Sequence, residues 1–121
     1  NQIAFETSDI FVTAEKLRAA GLPMLRIPAN YYDELRNSRG VDPSLVDRIQ
    51  ALNILYDADS KGGQFLHAYS TAFDSRFFFE VVQRIGGYDR YGEINAPVRM
   101  AAQATPVALQ VPLAVRSGSA G

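Results

Sequence analysis

The stretch "RFFFEVVQRIGGYD", residues 76–89, decides how the chain is read. Strand alternation sets Phe78, Glu80 and Val82 on one face and Phe77, Phe79 and Val81 on the other. Both faces are apolar around one carboxylate, so the strand is expected to be covered on both sides. A carboxylate in that position is costly unless it is paired, hydrogen-bonded or bound to a metal. Arg76, Arg84 and Arg26 are the cations that an ordinary salt bridge would use. A ligand or catalytic role is the other reading, and the residues around Glu80 leave both open.

Working outward, the preceding strand is "QFLHAYST", with Phe65, His67 and Tyr69 on one face. His67 is the only histidine, and a lone histidine in a sheet is commonly a hydrogen-bonded core residue. Its strand neighbours that of Glu80 through the short "AFD" turn region, which places the two near one pocket. "ILYDAD" reads as a strand, with "SKGG" as the hairpin turn that follows it. At the start of the chain, "NQIAFET" alternates and reads as a strand. "SDIFVTAEKLRAAGL" then repeats Ile10, Ala14 and Leu17 at helical spacing, with Ser8 or Asp9 as cap and Gly21 as stop. "PMLRI" is read as a further short strand. A helical insert over about 29–53 follows, in which Asp42 caps and Pro43 opens "VDPSLVDRIQAL". Tyr31 and Tyr32 are expected to pack that insert onto the sheet. A short helix is expected over "INAPVRMAAQ", and residues 104–121 read as a loosely held tail. The order is β-α-β-(helical insert)-β-β-β over residues 1–103, one module of α+β class.

Composition narrows the function. The 121 residues suffice for one small domain with a core. Twelve basic against thirteen acidic residues, for a net charge of -1, favour neither nucleic acid nor an anionic membrane surface as partner. No apolar run approaches the roughly 20 residues needed to span a bilayer. Zero cysteines exclude disulfides and thiol chemistry and fit a cytoplasmic protein. The chain opens on Asn1 and runs straight into a strand, which looks like a piece of a longer polypeptide. The glycines of "GGYDRYG" lack the strand-to-helix setting of a phosphate loop, so a nucleotide site is not expected.

The strand order resembles a βαβββ module of the vicinal oxygen chelate superfamily, a curved mixed sheet with helices on its convex side. The segments "QIAFETSDIFVTAEKLRAAGLPMLRIPANYYDELR", "ALNILYDAD", "FLHAYS" and "FFFEVVQR" are similar to the final module of the 4-hydroxyphenylpyruvate dioxygenase family. "PANYYDELR" and "FFFEVVQRIGGYDRYGEINAPVRMAAQ" look most like the dioxygenase-like domain fused behind the barrel of bacterial 3-dehydroshikimate dehydratases. The resemblance implies Fe(II), or Mg or another divalent ion, held by two histidines and one glutamate, with open positions for a 2-oxo acid and O₂. It implies that Glu80 is the carboxylate ligand. The first-strand histidine of the family is matched by Gln2, a weaker neutral oxygen donor, and the remaining histidine belongs to a preceding module. His67 stands where the dioxygenases carry a glutamine facing the substrate, and Tyr69 where an aromatic sandwiches the ring. Tyr91 and Asn95 match the closing C-terminal segment, with Ala96 in place of a bulky aromatic. The expected ligand is a small 2-oxo acid or aromatic acid. The expected partner is an upstream module or a second copy, because one module leaves an apolar concavity open. Two alternatives to a dioxygenase-like fragment stand beside it. One is a non-catalytic accessory module of a dehydratase; the other is a dimeric glyoxalase-type or resistance-type protein holding a small molecule. The isolated fragment of such a dioxygenase-like or dehydratase-fusion protein is expected to be inactive.

Overall fold

A computed structural model describes residues 2–71 and 77–105. Its elements are β1 (Gln2–Glu6), α1 (Ile10–Ala19), α2 (Ala29–Asn37), α3 (Pro43–Ala51), β2 (Leu55–Ala58), β3 (Gln64–Tyr69), β4 (Phe78–Ile85) and α4 (Ala96–Ala104). A single helical turn, Glu93–Asn95, leads into α4. The "AFD" turn and the tail beyond residue 105 lie outside the described residues. Among the described residues, no helix is long and apolar enough to cross a membrane.

The four strands form one curved, open sheet in the order β1-β4-β3-β2. β2, β3 and β4 run antiparallel to their neighbours, whereas β1 joins β4 in parallel, with Gln2 opposite Phe78 and Ala4 opposite Glu80. Antiparallel neighbours need only short turns, but a parallel pair needs a long crossover, and here α1 to β3 supply it. The α+β class and the βαβββ-type module read from the sequence are therefore what the chain forms.

Helix α1 starts where Asp9 Oδ1 accepts the backbone N–H groups of Phe11 and Val12 at 3.0 and 3.3 Å. It stops at Ala20, followed by Gly21 at φ 78°. Gln83 of β4 fixes the helix from outside, accepting from the N–H of Ile10 at 2.9 Å and donating to the carbonyl of Ser8 at 2.8 Å. The result is that Ile10 and Ala14 are buried with Leu66, Ala68 and Val81, on the sheet face away from His67 and Glu80. Fully burying one such aliphatic side chain contributes about 1.5–3 kcal/mol.

One local expectation is corrected, and another, the Asp42 cap with Pro43 opening α3, holds in position but not in its side-chain bond. "PMLRI" does not become a strand but makes one bridge, Met24 with Ser70. Pro23 has no N–H to offer. The N–H of Leu25 reaches Tyr69 at 2.7 Å, but that of Ile27 turns to the Asn53 side chain at 2.9 Å, so no ladder propagates. Asp42 stands at the head of α3 without a side-chain capping bond; its Oδ2 accepts the Ser44 hydroxyl at 2.7 Å instead.

Tyr31 and Tyr32, at the first turns of α2, do more than fill space. Tyr32 is fully buried and donates its hydroxyl to the carbonyl of Ile54 at 3.0 Å. The Tyr31 hydroxyl meets both backbone groups of Tyr56 on β2, its N–H at 2.9 Å and its carbonyl at 3.0 Å. Those are the groups a sheet edge would otherwise present to water or to another strand.

Candidate functional site

The site lies on the sheet face shared by Phe65, His67 and Tyr69 of β3, Glu80 and Val82 of β4, and Gln2, Ala4 and Glu6 of β1. These residues, except His67 beneath them, line a cavity of about 550 Å³. Residues of the 91–99 segment, among them Tyr91, Gly92 and Arg99, close it from above. Strand register makes the convergence. Tyr69 is directly opposite Glu80, and His67 opposite Val82, so His67 and Glu80 are diagonal neighbours on one face.

Glu80 is 5% exposed and its oxygens are met by donors. His67 Nδ1 lies 2.9 Å from Oε2, and Gln2 Nε2 donates to Oε1. The Tyr69 hydroxyl lies 3.2 Å from His67 Nδ1, with Glu80 and Arg99 as its electrostatic neighbours. Burial first, and the neighbouring Glu80 charge second, push the Tyr69 phenol well above its ordinary range. It is therefore a hydrogen-bond donor, not a phenolate, at neutral pH. The salt bridge weighed for Glu80 is not formed with Arg84, whose ion pair is with Glu6 at 3.7 Å. Arg76 lies outside the described residues.

The protons in this network can be placed by elimination. Asn95 Nδ2 is 3.0 Å from the carbonyl of Tyr56, and two acceptors cannot face each other there, so the amide orientation is fixed. The same NH₂ is 2.9 Å from His67 Nε2, which must then be the bare, accepting nitrogen. The ring proton sits on Nδ1 and points at Glu80. Behind it, Asn95 Oδ1 accepts the Tyr31 hydroxyl at 2.9 Å. A continuous chain thus runs from the backbone N–H of Tyr56 through Tyr31, Asn95 and His67 to Glu80. Burial is the main reason Tyr31 is pushed up to about 12.

Packing locks the imidazole. Its ring centroid is 4.6 Å from that of Phe65 and 5.5 Å from that of Tyr69, and His67 is fully buried. Gly92 closes over it in a left-handed conformation, φ 69°. A Cβ at Gly92 would lie 2.7 Å from the Phe65 ring and 2.9 Å from His67 Nε2, so a side chain there is excluded twice over. The "GGYDRYG" segment is thus a lid on the histidine. Its Tyr88 stacks on Phe65 at 5.0 Å and donates to Asp57 at 2.6 Å, while accepting from the Gly92 N–H at 3.1 Å.

Of the residues singled out in the sequence, Gln2, His67, Tyr69 and Glu80 meet directly, and Asn95 stands behind the imidazole. Tyr91 sits at the rim, 74% exposed, with the Arg84 guanidinium 5.3 Å from its ring. Arg99 was not anticipated. It projects from α4 over the rings of Tyr69 and Phe78 at 5.5 and 5.6 Å and bonds Gln103 Oε1 at 2.9 Å. Among the described residues, no carboxylate lies within ion-pair distance of it. Helical spacing alone could have placed it three residues past Ala96, on the face turned to the sheet.

As a metal centre the donor set falls short. A facial triad needs three ligands. Here one carboxylate and one amide face each other, and the one imidazole has both nitrogens committed. Among the described residues, no three His, Cys, Asp or Glu side chains form a group able to hold a metal ion. The described side chains do not by themselves fit a resident Fe(II).

No protein-family model matches the chain. It is 43% identical over 104 residues to a 3-dehydroshikimate dehydratase of Pseudomonas putida, covering 86% of this chain and 16% of that protein. It is 40% identical over 88 residues to a 4-hydroxyphenylpyruvate dioxygenase of Caenorhabditis elegans, covering 68% of this chain and 22% of that protein. A solved xylose isomerase-like TIM barrel/4-hydroxyphenylpyruvate dioxygenase fusion protein superposes with a TM-score of 0.84 at 42% identity, over 88% of this chain and 17% of that one. A mutant 4-hydroxymandelate synthase from Streptomyces coelicolor superposes with a TM-score of 0.71 at 26% identity, over 84% of this chain and 28% of that one. The chain therefore spans a quarter or less of the curated relatives described here. It is homologous to a 4-hydroxyphenylpyruvate dioxygenase-like part of those larger proteins.

Proposed function

We propose that this module forms one wall of a cup for a small organic acid, working with a further module or a second copy that closes the open side. The observation that carries the reading is the placement of Arg99 at the rim and the buried Glu80 below it, with Tyr69 between them. A ligand carboxylate fits the Arg99 guanidinium, whose charge has no carboxylate partner among the described side chains. A hydroxyl on the same ligand would donate to Glu80, and an aromatic or flat body would lie against Tyr69 and Phe65. Such a ligand has the chemistry of a 2-oxo acid or an aromatic acid. Gln2 and Glu80 enter as the polar floor. An Fe(II) centre, which would supply O₂ activation in a dioxygenase, has no step here, because its ligand set is incomplete.

Calorimetric titration of the chain with phenylpyruvate and with 4-hydroxybenzoate tests the proposal, with Arg99→Ala as control. Saturable binding lost in the variant is the expected result; no heat with either acid overturns it. A second reading, a non-catalytic module that supports a neighbouring domain, is favoured by Gln2 offering an amide where the family resemblance implies an imidazole. Absence of acid binding by a well-folded chain would turn the choice to that reading.

A further inference from the structure

We infer that Glu80 in this chain is a metal-free carboxylate, with His67 as its fixed hydrogen-bond partner in place of a metal ion. The inference concerns the same cup and rests on Glu80 being its functional carboxylate, but not on which acid the cup receives. Three observations converge.

The first is how Glu80 is occupied. Gln2 and His67 aim donors at its two oxygens, one at each, so its charge is spread over hydrogen bonds inside the protein. Hydrogen bonds to a buried carboxylate are among the stronger ones. A metal would have to displace them and would gain one carboxylate in return.

The second is that His67 is not free to change sides. Its tautomer is set from behind by Asn95, which is set by the carbonyl of Tyr56 and by Tyr31. To present a bare nitrogen to a cation in the cup, the ring would have to turn over between Phe65 and Tyr69. That would bring an N–H against the Asn95 NH₂, donor against donor. The third is the lid: Gly92 packs so closely on the Nε2 side that the ring has no room to swing out. His67 is thus a positioning residue for Glu80, and the polar chain behind it has a purpose that core packing alone would not require.

The experiment uses the whole chain, labelled with ¹⁵N-histidine, at neutral pH. Long-range ¹H–¹⁵N spectra report which ring nitrogen of His67 carries the proton. Excess Mn(II), a paramagnetic probe, is then added to wild type and to Glu80→Gln. The expected result is an Nδ1–H tautomer whose resonances keep their width in Mn(II). Broadening that is equal in both proteins reports some other site and leaves the inference standing. An Nε2–H tautomer, or Mn(II) broadening in wild type that disappears in Glu80→Gln, overturns it. Neither outcome depends on acid binding, so failure here and failure of the titration above are separate results.

Discussion

The two edges of the sheet are finished in opposite ways. At the β2 edge, Leu55 and Tyr56 are buried, the Glu93–Asn95 turn lies alongside, and the Tyr56 N–H and carbonyl are met by the Tyr31 hydroxyl of α2 and by Asn95 Nδ2. At the β1 edge every residue from Gln2 to Glu6 is exposed, with Ile3 at 50% and Phe5 at 55%. One edge is sealed by the chain's own side chains, and the other is a bare parallel strand carrying apolar side chains. Natural sheets seldom leave such an edge uncovered in a working assembly. The contrast shows which side of the module is complete in itself and which side is suited to a neighbour.

The comparison can be broken from the sealed side with large effect. Tyr32→Ala removes a fully buried ring and the hydroxyl bonded to Ile54, and should cost about 3–5 kcal/mol in urea unfolding. A loss below about 1 kcal/mol would mean that α2 does not seal the edge in solution.

Alkali attacks the same seal. Tyr31 is raised from 10.0 to about 12, chiefly by burial, so the folded state holds a proton that the unfolded state releases first. Its contribution is complete below pH 10 and is lost as pH rises through about 12. At about 1.36 kcal/mol per unit, the Tyr31 share of that loss is ~3 kcal/mol. Tyr31→Phe should flatten this part of the stability profile between those limits; an unchanged slope would assign the loss elsewhere.

Asn95→Ala sharpens the picture where the seal meets the cup. It strips a donor from His67 and from the carbonyl of Tyr56, and an acceptor from Tyr31, for a cost of about 2 kcal/mol. It should also release the His67 tautomer, visible as an added ring N–H species. The smallest effect belongs to the bare edge. Phe5→Ala should change the stability of the isolated chain by less than about 0.5 kcal/mol. If β1 docks a second copy, the same change should weaken self-association measured by light scattering, and a wild-type chain that stays monomeric would exclude the homodimer.

Much of this was legible beforehand because period and capping are local. The alternation of Phe65, His67 and Tyr69, and of Phe78, Glu80 and Val82, placed the right side chains on one face. The Asp9 cap and Gly21 stop bounded α1. "PMLRI" misled because strand-like composition says nothing about where backbone donors go, and Asn53, a residue left-handed at φ 56°, diverts one of them. The hydrogen-bond chain behind His67 was beyond reach for another reason. Tyr31, Tyr56 and Asn95 are distant in sequence and carry no periodic signal. Only the placing of α2 and of the turn before α4 brings them together. Arg99 is visible as a charge in the sequence, yet its lack of a carboxylate partner among the described residues is a property of the fold.

The parallel pairing of β1 with β4 has a consequence for how the molecule comes into being. β1 is among the first segments of the described chain, but its sheet neighbour is the last strand, so their ladder closes a loop that contains nearly everything else. Bringing such distant segments together costs chain entropy before any contact repays it, which slows folding. The β2–β3 hairpin can form through its own tight turn, with α2 and α3 close behind. β1 is then the final strand to dock, and Gln2 reaches Glu80 only at that last step. The floor of the cup is therefore assembled when folding finishes, and a chain caught before that point holds His67 and Tyr69 in place beside a Glu80 still open on one side.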